Sequence, residues 1–357
     1  MTNMRGLANQ RRPVIIAIIF LVAISFAFAE QQGKTRGLLF VPNAADGTVS
    51  ALDPHTGSEV WVAAVSSAGD SLPAGAAHGI AISPDGETVY AGDAVTDELV
   101  VLNALDGEVI ARVALSHAVH GIDIAPDGET VWVGGANRDR FWLGELSVIN
   151  TESLTVRQVV APGVGSAAHV SFTPDGRQVW IASTSNNLVW VVNAMDGSLL
   201  GLVPLIAGER NEASTPEGRA GYIGINEVAI SPDGRTAFAV GPEAATLFRI
   251  DVATRRVESV QPGEPRAHGV AVSRNGREVW VANRSGSLSV FDAEQLTPIA
   301  TVPMGAYANH VSFSVDGNEV YASGDRRLVV VDVATWTIIR SIEVGRDPHE
   351  IAVGSSR

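Results

Sequence analysis

The chain has no cysteine. Disulfides, thiolate-bound metals, thioether-linked haem and a lipid-modified cysteine are all excluded by that one absence. Lysine is nearly absent as well: of 25 lysines and arginines only Lys34 is a lysine, against 39 acids and a net charge of −14. Such an acidic chain repels the phosphates of nucleic acid and anionic lipid, so neither is an expected partner. Helical periodicity is missing after the N-terminus. So are a nucleophile elbow, a phosphate-binding loop, the two-histidine zinc helix motif and a calcium-binding EF-hand loop.

The long apolar run that is present lies at the start. Arg5, Arg11 and Arg12 precede Val14–Ala27, and Ala27-Phe28-Ala29 offers small residues at cleavage spacing before Glu30. This is the layout of a secretory signal peptide, with an apolar run shorter than the ~20 residues of a spanning helix. The expected organisation is therefore a signal peptide at 1–29 and one domain at 30–357, periplasmic or secreted. A membrane association is expected only if the leader stays attached.

What fills the rest is a repeat. His78-Gly-Ile-Ala-Ile-Ser-Pro-Asp-Gly86 returns as His120–Gly128, His169–Gly176, Asn226–Gly234, His268–Gly276 and His310–Gly317, with a shortened copy at His349–Gly354. A repeat on this scale marks a stacked or radial architecture. Each copy carries four short Val/Ile/Tyr/Trp-rich runs; in the first these are Ile80–Ser83, Thr88–Ala91, Leu99–Asn103 and Val109–Ala114. Turn residues such as Pro84-Asp85-Gly86 and Leu105-Asp106-Gly107 separate them. Four-stranded meanders repeated radially are propeller blades. Residues 37–64 supply three strands without an opening one, and the fragment at 349–353 is the missing fourth. The fold class that follows is all-β: a seven-bladed β-propeller of four-stranded antiparallel blades, closed by the C-terminal strand joining the N-terminal blade. An aromatic slot in the second strand (Phe40, Tyr90, Trp132, Trp180, Phe238, Trp280, Tyr321) reads as packing between blades.

The blocks Ser83–Tyr90 (Ser-Pro-Asp-Gly-x-x-Val-Tyr) and Val279–Asn283 (Val-Trp-Val-Ala-Asn) resemble the Tyr-Val-Thr-Asn repeat family of seven-bladed, largely extracytoplasmic propellers. More distantly the repeats are similar to the haem-binding propeller of nitrite reductases, the heavy subunit of methylamine dehydrogenase and the propeller lactonases. These resemblances imply the fold and leave the activity open.

Strand order puts the histidine end of every repeat on one face of the ring, around the channel, and the Pro-Asp-Gly turns on the other. The candidate ligand- or metal-binding residues are His78, His117, His120, His169, Asn226, His268, His310 and His349. His169 and His310 stand one residue closer to the turn than the others, so strict alternation points them to the opposite blade face. A metal would use a subset, such as His268 with His310 and His349, or His117 with His120. Three readings stay open: imidazoles that fix loop backbone, ligands for a transition metal or haem, and acid–base catalysts. Arginines recur on the same face at Arg138, Arg140, Arg210, Arg219, Arg284, Arg326 and Arg327, and their forks suit an anionic ligand. Two insertions, 135–145 with Phe141 and Trp142, and 207–224, lengthen loops there and read as a lid or a docking arm. Asp93, Asp97 and Glu227 are the carboxylates within reach.

The function read from these features is an exported binding or assembly protein with a His/Arg channel face for a metal, a haem-like group or another anion. Its partner would be a small molecule or another envelope protein. The alternative is an enzyme: a metal-dependent lactonase or lyase, or an oxidoreductase subunit using haem or a cofactor supplied by its partner.

Overall fold

The computed structural model describes residues 37–66, 75–139, 143–205, 224–241 and 246–354. The leader expected at 1–29 and most of residues 207–224 fall outside them, as do Arg140, Phe141, Trp142, Arg210 and Arg219. The described residues contain no helix and form seven four-stranded antiparallel sheets. Six are built from consecutive strands, such as Ala77–Ile82, Thr88–Asp93, Glu98–Asn103 and Val109–Ala114. The remaining sheet takes Leu39–Asn43, Thr48–Leu52 and Glu59–Ala64 from the N-terminal side and Ala352–Val353 from the C-terminal side. We number this blade 1 and the others 2 to 7 along the chain.

Successive innermost strands pack on each other from Ala77–Ile82 through Val311–Phe313 to Ala352–Val353, which returns to Ala77–Ile82. The ring is thus closed. Closure rests on a short seam, with Leu39 paired to Val353 and Phe40 to Ala352. The amides of His349 and Gly354 add bonds to the carbonyls of Pro42 and Leu38, at 3.0 and 2.9 Å.

Burial follows strand position. A second strand such as Glu278–Asn283 is buried on both faces, because its blade lies between two others. Outermost strands expose most of their residues, including Val60, Val62, Leu199 and Leu202. The core is a set of clusters between adjacent blades, as where Phe40 and Val49 of blade 1 meet Ile80, Val89 and Val100 of blade 2. All seven aromatic-slot residues are buried, with Trp132 edge-on to Phe172 and Trp280 edge-on to Phe313. Burying each such ring contributes on the order of 2–3 kcal/mol.

The Pro-Asp-Gly turns are self-supporting. The Ser231 hydroxyl donates to Asp233 Oδ1 and accepts the Thr236 amide, and the Gly234 amide closes the turn on the Ser231 carbonyl. The same contacts recur at Ser83–Gly86 and Ser314–Gly317. In blades 2 to 7 the inner strand therefore runs from its histidine or asparagine end at one face to a hydrogen-bonded turn at the other.

Candidate functional site: a histidine cluster in the channel

The inner strands are irregular where the histidines sit. Their register against the second strand slips by one residue at His78/Ile80, Val119/Ile122, Ala167/Val170 and Ala267/Gly269. Such a bulge adds one unpaired residue and re-aims the side chains around it. Beyond it the strands are back in phase, with Ile80, Ile122, Val170, Val228, Val270 and Val311 on equivalent rungs. Counting back from those rungs, and from Ile351 by repeat, places His78, His120, Ala168, Asn226, His268, Asn309 and His349 two residues before. Gly79, Gly121, His169, Glu227, Gly269, His310 and Glu350 stand one before.

The glycines have a steric reason. A Cβ on Gly79, whose φ is +70°, would lie 2.4 Å from the His120 carbonyl oxygen, and one on Gly121 2.6 Å from that of Ala168. The ring contacts also correct the expectation from alternation. His169 and His310 do not turn away; they join the other histidines in one cluster.

Ring centroids are 3.9 Å apart for His78–His349, 4.4 Å for His78–His120 and 5.0 Å for His120–His169. They are 4.9 Å apart for His268–His310 and 4.7 Å for His310–His349. His169 of blade 4 and His310 of blade 7 meet across the axis at 4.8 Å. Imidazoles in direct contact leave no slot between them for a porphyrin, so the cluster does not fit haem held between two of these ligands.

Two carboxylates complete the cluster. Glu350 Oε1 lies 3.1 Å from His169 Nδ1, and Glu227 Oε2 lies 3.3 Å from His310 Nδ1. Each also binds the next blade: Glu350 Oε2 accepts the Ile80 amide at 3.0 Å and Glu227 Oε2 the Val270 amide at 2.6 Å. Asp123 repeats the pattern, accepting the Phe172 amide at 3.0 Å. Blades 1, 3 and 5 are thus each tied to their successors by an acid. His78 and Asn226 serve similarly, His78 Nδ1 lying 3.0 Å from the His120 carbonyl and Asn226 Nδ2 donating to the His268 carbonyl at 2.7 Å.

Burial governs the charges. It pulls His78 down to about 4, and with repulsion from neighbouring imidazoles it holds His120, His268 and His349 well below the usual range. These four are neutral at pH 7, the form that binds metal. Burial works the same way on His169, but the Glu350 carboxylate outweighs it and leaves His169 raised. Burial also opposes ionisation of Glu350, yet His169 keeps it lowered. Asp123 is pushed up to about 7 by burial, against the pull of the Phe172 and Ile124 amides. The cluster therefore holds the buried His169–Glu350 ion pair beside the neutral rings of His78, His120, His268 and His349.

Many ring nitrogens have no hydrogen-bond partner among the described residues: His120 Nδ1, His169 Nε2, His268 Nε2, His310 Nε2 and His349 Nδ1. Three groups offer ligand atoms within 4.8 Å of one another: His268, His310 and His349; His78, His349 and Glu350; and His169, Glu227 and His310.

Other candidates lie apart. His117 is fully buried, with Nε2 2.9 Å from Ser147 Oγ and Nδ1 3.0 Å from the Ala118 carbonyl, and it belongs to none of the three groups. Of the arginines, Arg284 reaches the cluster, its Nη2 3.4 Å from His349 Nε2 and its Nε donating to Asn309. Arg138 pairs with Asp97, and Arg327 donates to the Met304 carbonyl. Arg326 is exposed. Asp93 is spent on its own turn, accepting from Val95 and Thr96. Glu350 and Asp123 were missed in the sequence. The first was legible as the neighbour of His349 in the truncated repeat, whereas the second carries no repeat signal.

Fold and site together define a seven-bladed β-propeller whose channel is plugged at one face by histidines and acids. A family model described as outer membrane protein assembly factor BamB matches residues 45–220, from the third strand of blade 1 through blade 4. The propeller expected from the Tyr-Val-Thr-Asn resemblance is therefore present, while the matching family bears another name. No curated protein matches the chain. Among solved structures, hydrazine synthase of Kuenenia stuttgartiensis is similar with a TM-score of 0.68 at 17% identity, over 84% of this chain and 93% of that one. At that identity the likeness is one of fold. With 1772 solved chains matching, the fold is too widely shared to select a chemistry.

Proposed function

We propose that the protein is an extracytoplasmic, non-catalytic binding protein whose channel cluster takes a divalent first-row transition metal ion. The observation that carries this reading is the set of unpartnered, buried imidazole nitrogens. Each such atom costs about 1–3 kcal/mol if left unsatisfied, so the set as a whole calls for something to share its lone pairs. Contact between the rings favours a small ion over a planar cofactor. Imidazole and carboxylate donors without thiolate suit zinc, copper or nickel better than calcium or magnesium. The near-complete burial of His268, His310 and His349 keeps a substrate from reaching an ion held there.

An extracytoplasmic location is supported by the leader-like N-terminus and by the likeness to a family named for outer membrane protein assembly. That likeness also supports a partner protein in the envelope. The test is metal analysis of protein purified without chelator, followed by titration calorimetry with zinc on stripped protein. About one equivalent should be retained, and His310→Ala, which removes a member of two of the three ligand groups, should lower it well below stoichiometry. Stripped protein that takes up no zinc, copper or nickel would overturn the reading.

A further inference from the structure

We infer that the ion sits on His268, His310 and His349 and acts as the clasp that closes the propeller ring; this rests on the metal reading above. The three groups are not equivalent. In the group containing Glu350, that acid is already committed to the Ile80 amide and His169, and His78 Nδ1 to the His120 carbonyl. In the group containing Glu227, the carboxylate holds the Val270 amide and His169 is paired with Glu350. In the third group every member has an unpartnered nitrogen, and all three residues are at most 5% exposed. Arg284 approaches Nε2 of His349 and leaves Nδ1 for the ion. The donors need only draw in from within 4.8 Å to the ~3.4 Å separation that Zn–N bonds of about 2.0–2.1 Å impose on a tetrahedron.

The three ligands come from blades 6, 7 and 1. His349 belongs to the C-terminal segment, whose own strand has only two residues, Ala352–Val353. His268 and His310 belong to blades built wholly from consecutive chain. An ion shared by the three therefore fastens the last segment to the body of the ring, beside the seam that closes it. Opening that seam removes His349 from the ion, so binding and closure are thermodynamically linked.

Hydrogen exchange on the full chain tests this. With zinc at 100 times its Kd, the His349 and Gly354 amides, which bond across the seam, should exchange about 100-fold more slowly. Amides of the inner strand of blade 4, Ala167–Phe172, should change little. His268→Asn, the residue that blade 5 already carries at Asn226, should abolish the zinc effect and leave zinc-free exchange at the seam within about threefold of the parent. Zinc that binds but slows the seam no more than blade 4 would overturn the clasp while sparing the metal reading. Full zinc protection in His268→Asn would overturn the choice of ligands. A chain that binds no zinc would sink both.

Discussion

Replacing Asp123 by asparagine tests the electrostatics of the channel in isolation. Burial raises this carboxyl from 3.8 to about 7 in the folded chain. A raised folded pKa means that the native state keeps its proton while the unfolded state loses it. The stability this group contributes is complete below pH 3.8 and is lost as pH rises toward 7. At about 1.4 kcal/mol per unit, the penalty is roughly 1.6 kcal/mol at pH 5 and on the order of 4 kcal/mol at pH 8. Asparagine carries no such penalty. It keeps one oxygen for the Phe172 or Ile124 amide and sacrifices the other bond, at about 1–3 kcal/mol, at every pH. In urea titrations the variant should therefore gain about 2–3 kcal/mol on the parent between pH 5 and pH 8. Equal differences at the two pH values would refute the buried-carboxyl account, whatever the absolute stabilities.

The neutral histidines have the opposite sign: their depressed folded pKa makes the unfolded state bind protons first, so urea midpoints of the parent should fall as pH drops from 6.5 toward 4. A flat profile over that range would show that the rings are hydrated. Glu350→Gln strips the buried partner from His169 and should cost about 3–5 kcal/mol at pH 7, read by the same titration. Gly79→Ala drives a Cβ into the His120 carbonyl at positive φ and should lower the thermal midpoint by well over 5 °C; a neutral result would mean that blades 2 and 3 separate easily. Trp180→Ala, in the core between blades 4 and 5, should cost about 3–5 kcal/mol in urea.

The architecture was legible because repetition makes each blade a check on the others. The strand runs, the aromatic slot and the completion of blade 1 by the C-terminus all follow from period and pattern. The inner strands begin earlier than the pattern indicates, at Ala77 instead of Ile80, because the histidine segment is itself paired through a bulge. Two-residue periodicity cannot register such a slip, and in blade 4 the slip between Ala167 and Val170 spans His169. The histidines themselves are legible from the repeat, and so is the trio His268, His310 and His349, which stand in consecutive copies. Glu350, Glu227 and Asp123 acquire their roles from the amides of neighbouring blades, and those bonds cannot be read from a single repeat even where the acid itself stands beside a repeat position. His117 looked equivalent to His120 by proximity alone, but its partners are Ser147 and Ala118.

The seam of blade 1 also sets a timetable for the newborn chain. Phe40 pairs with Ala352, about 310 residues further on, so the partner of Leu39–Asn43 is among the last residues to emerge, from the ribosome or across a membrane. Blades 2 to 6 can therefore assemble one after another while Leu39–Asn43 waits with its inner edge bare. An unpaired apolar strand is a template for aggregation, so a chain broken off before residue 349 keeps that hazard permanently. Chaperone binding to such truncated chains should centre on Leu39–Asn43 and disappear once the last ten residues are present.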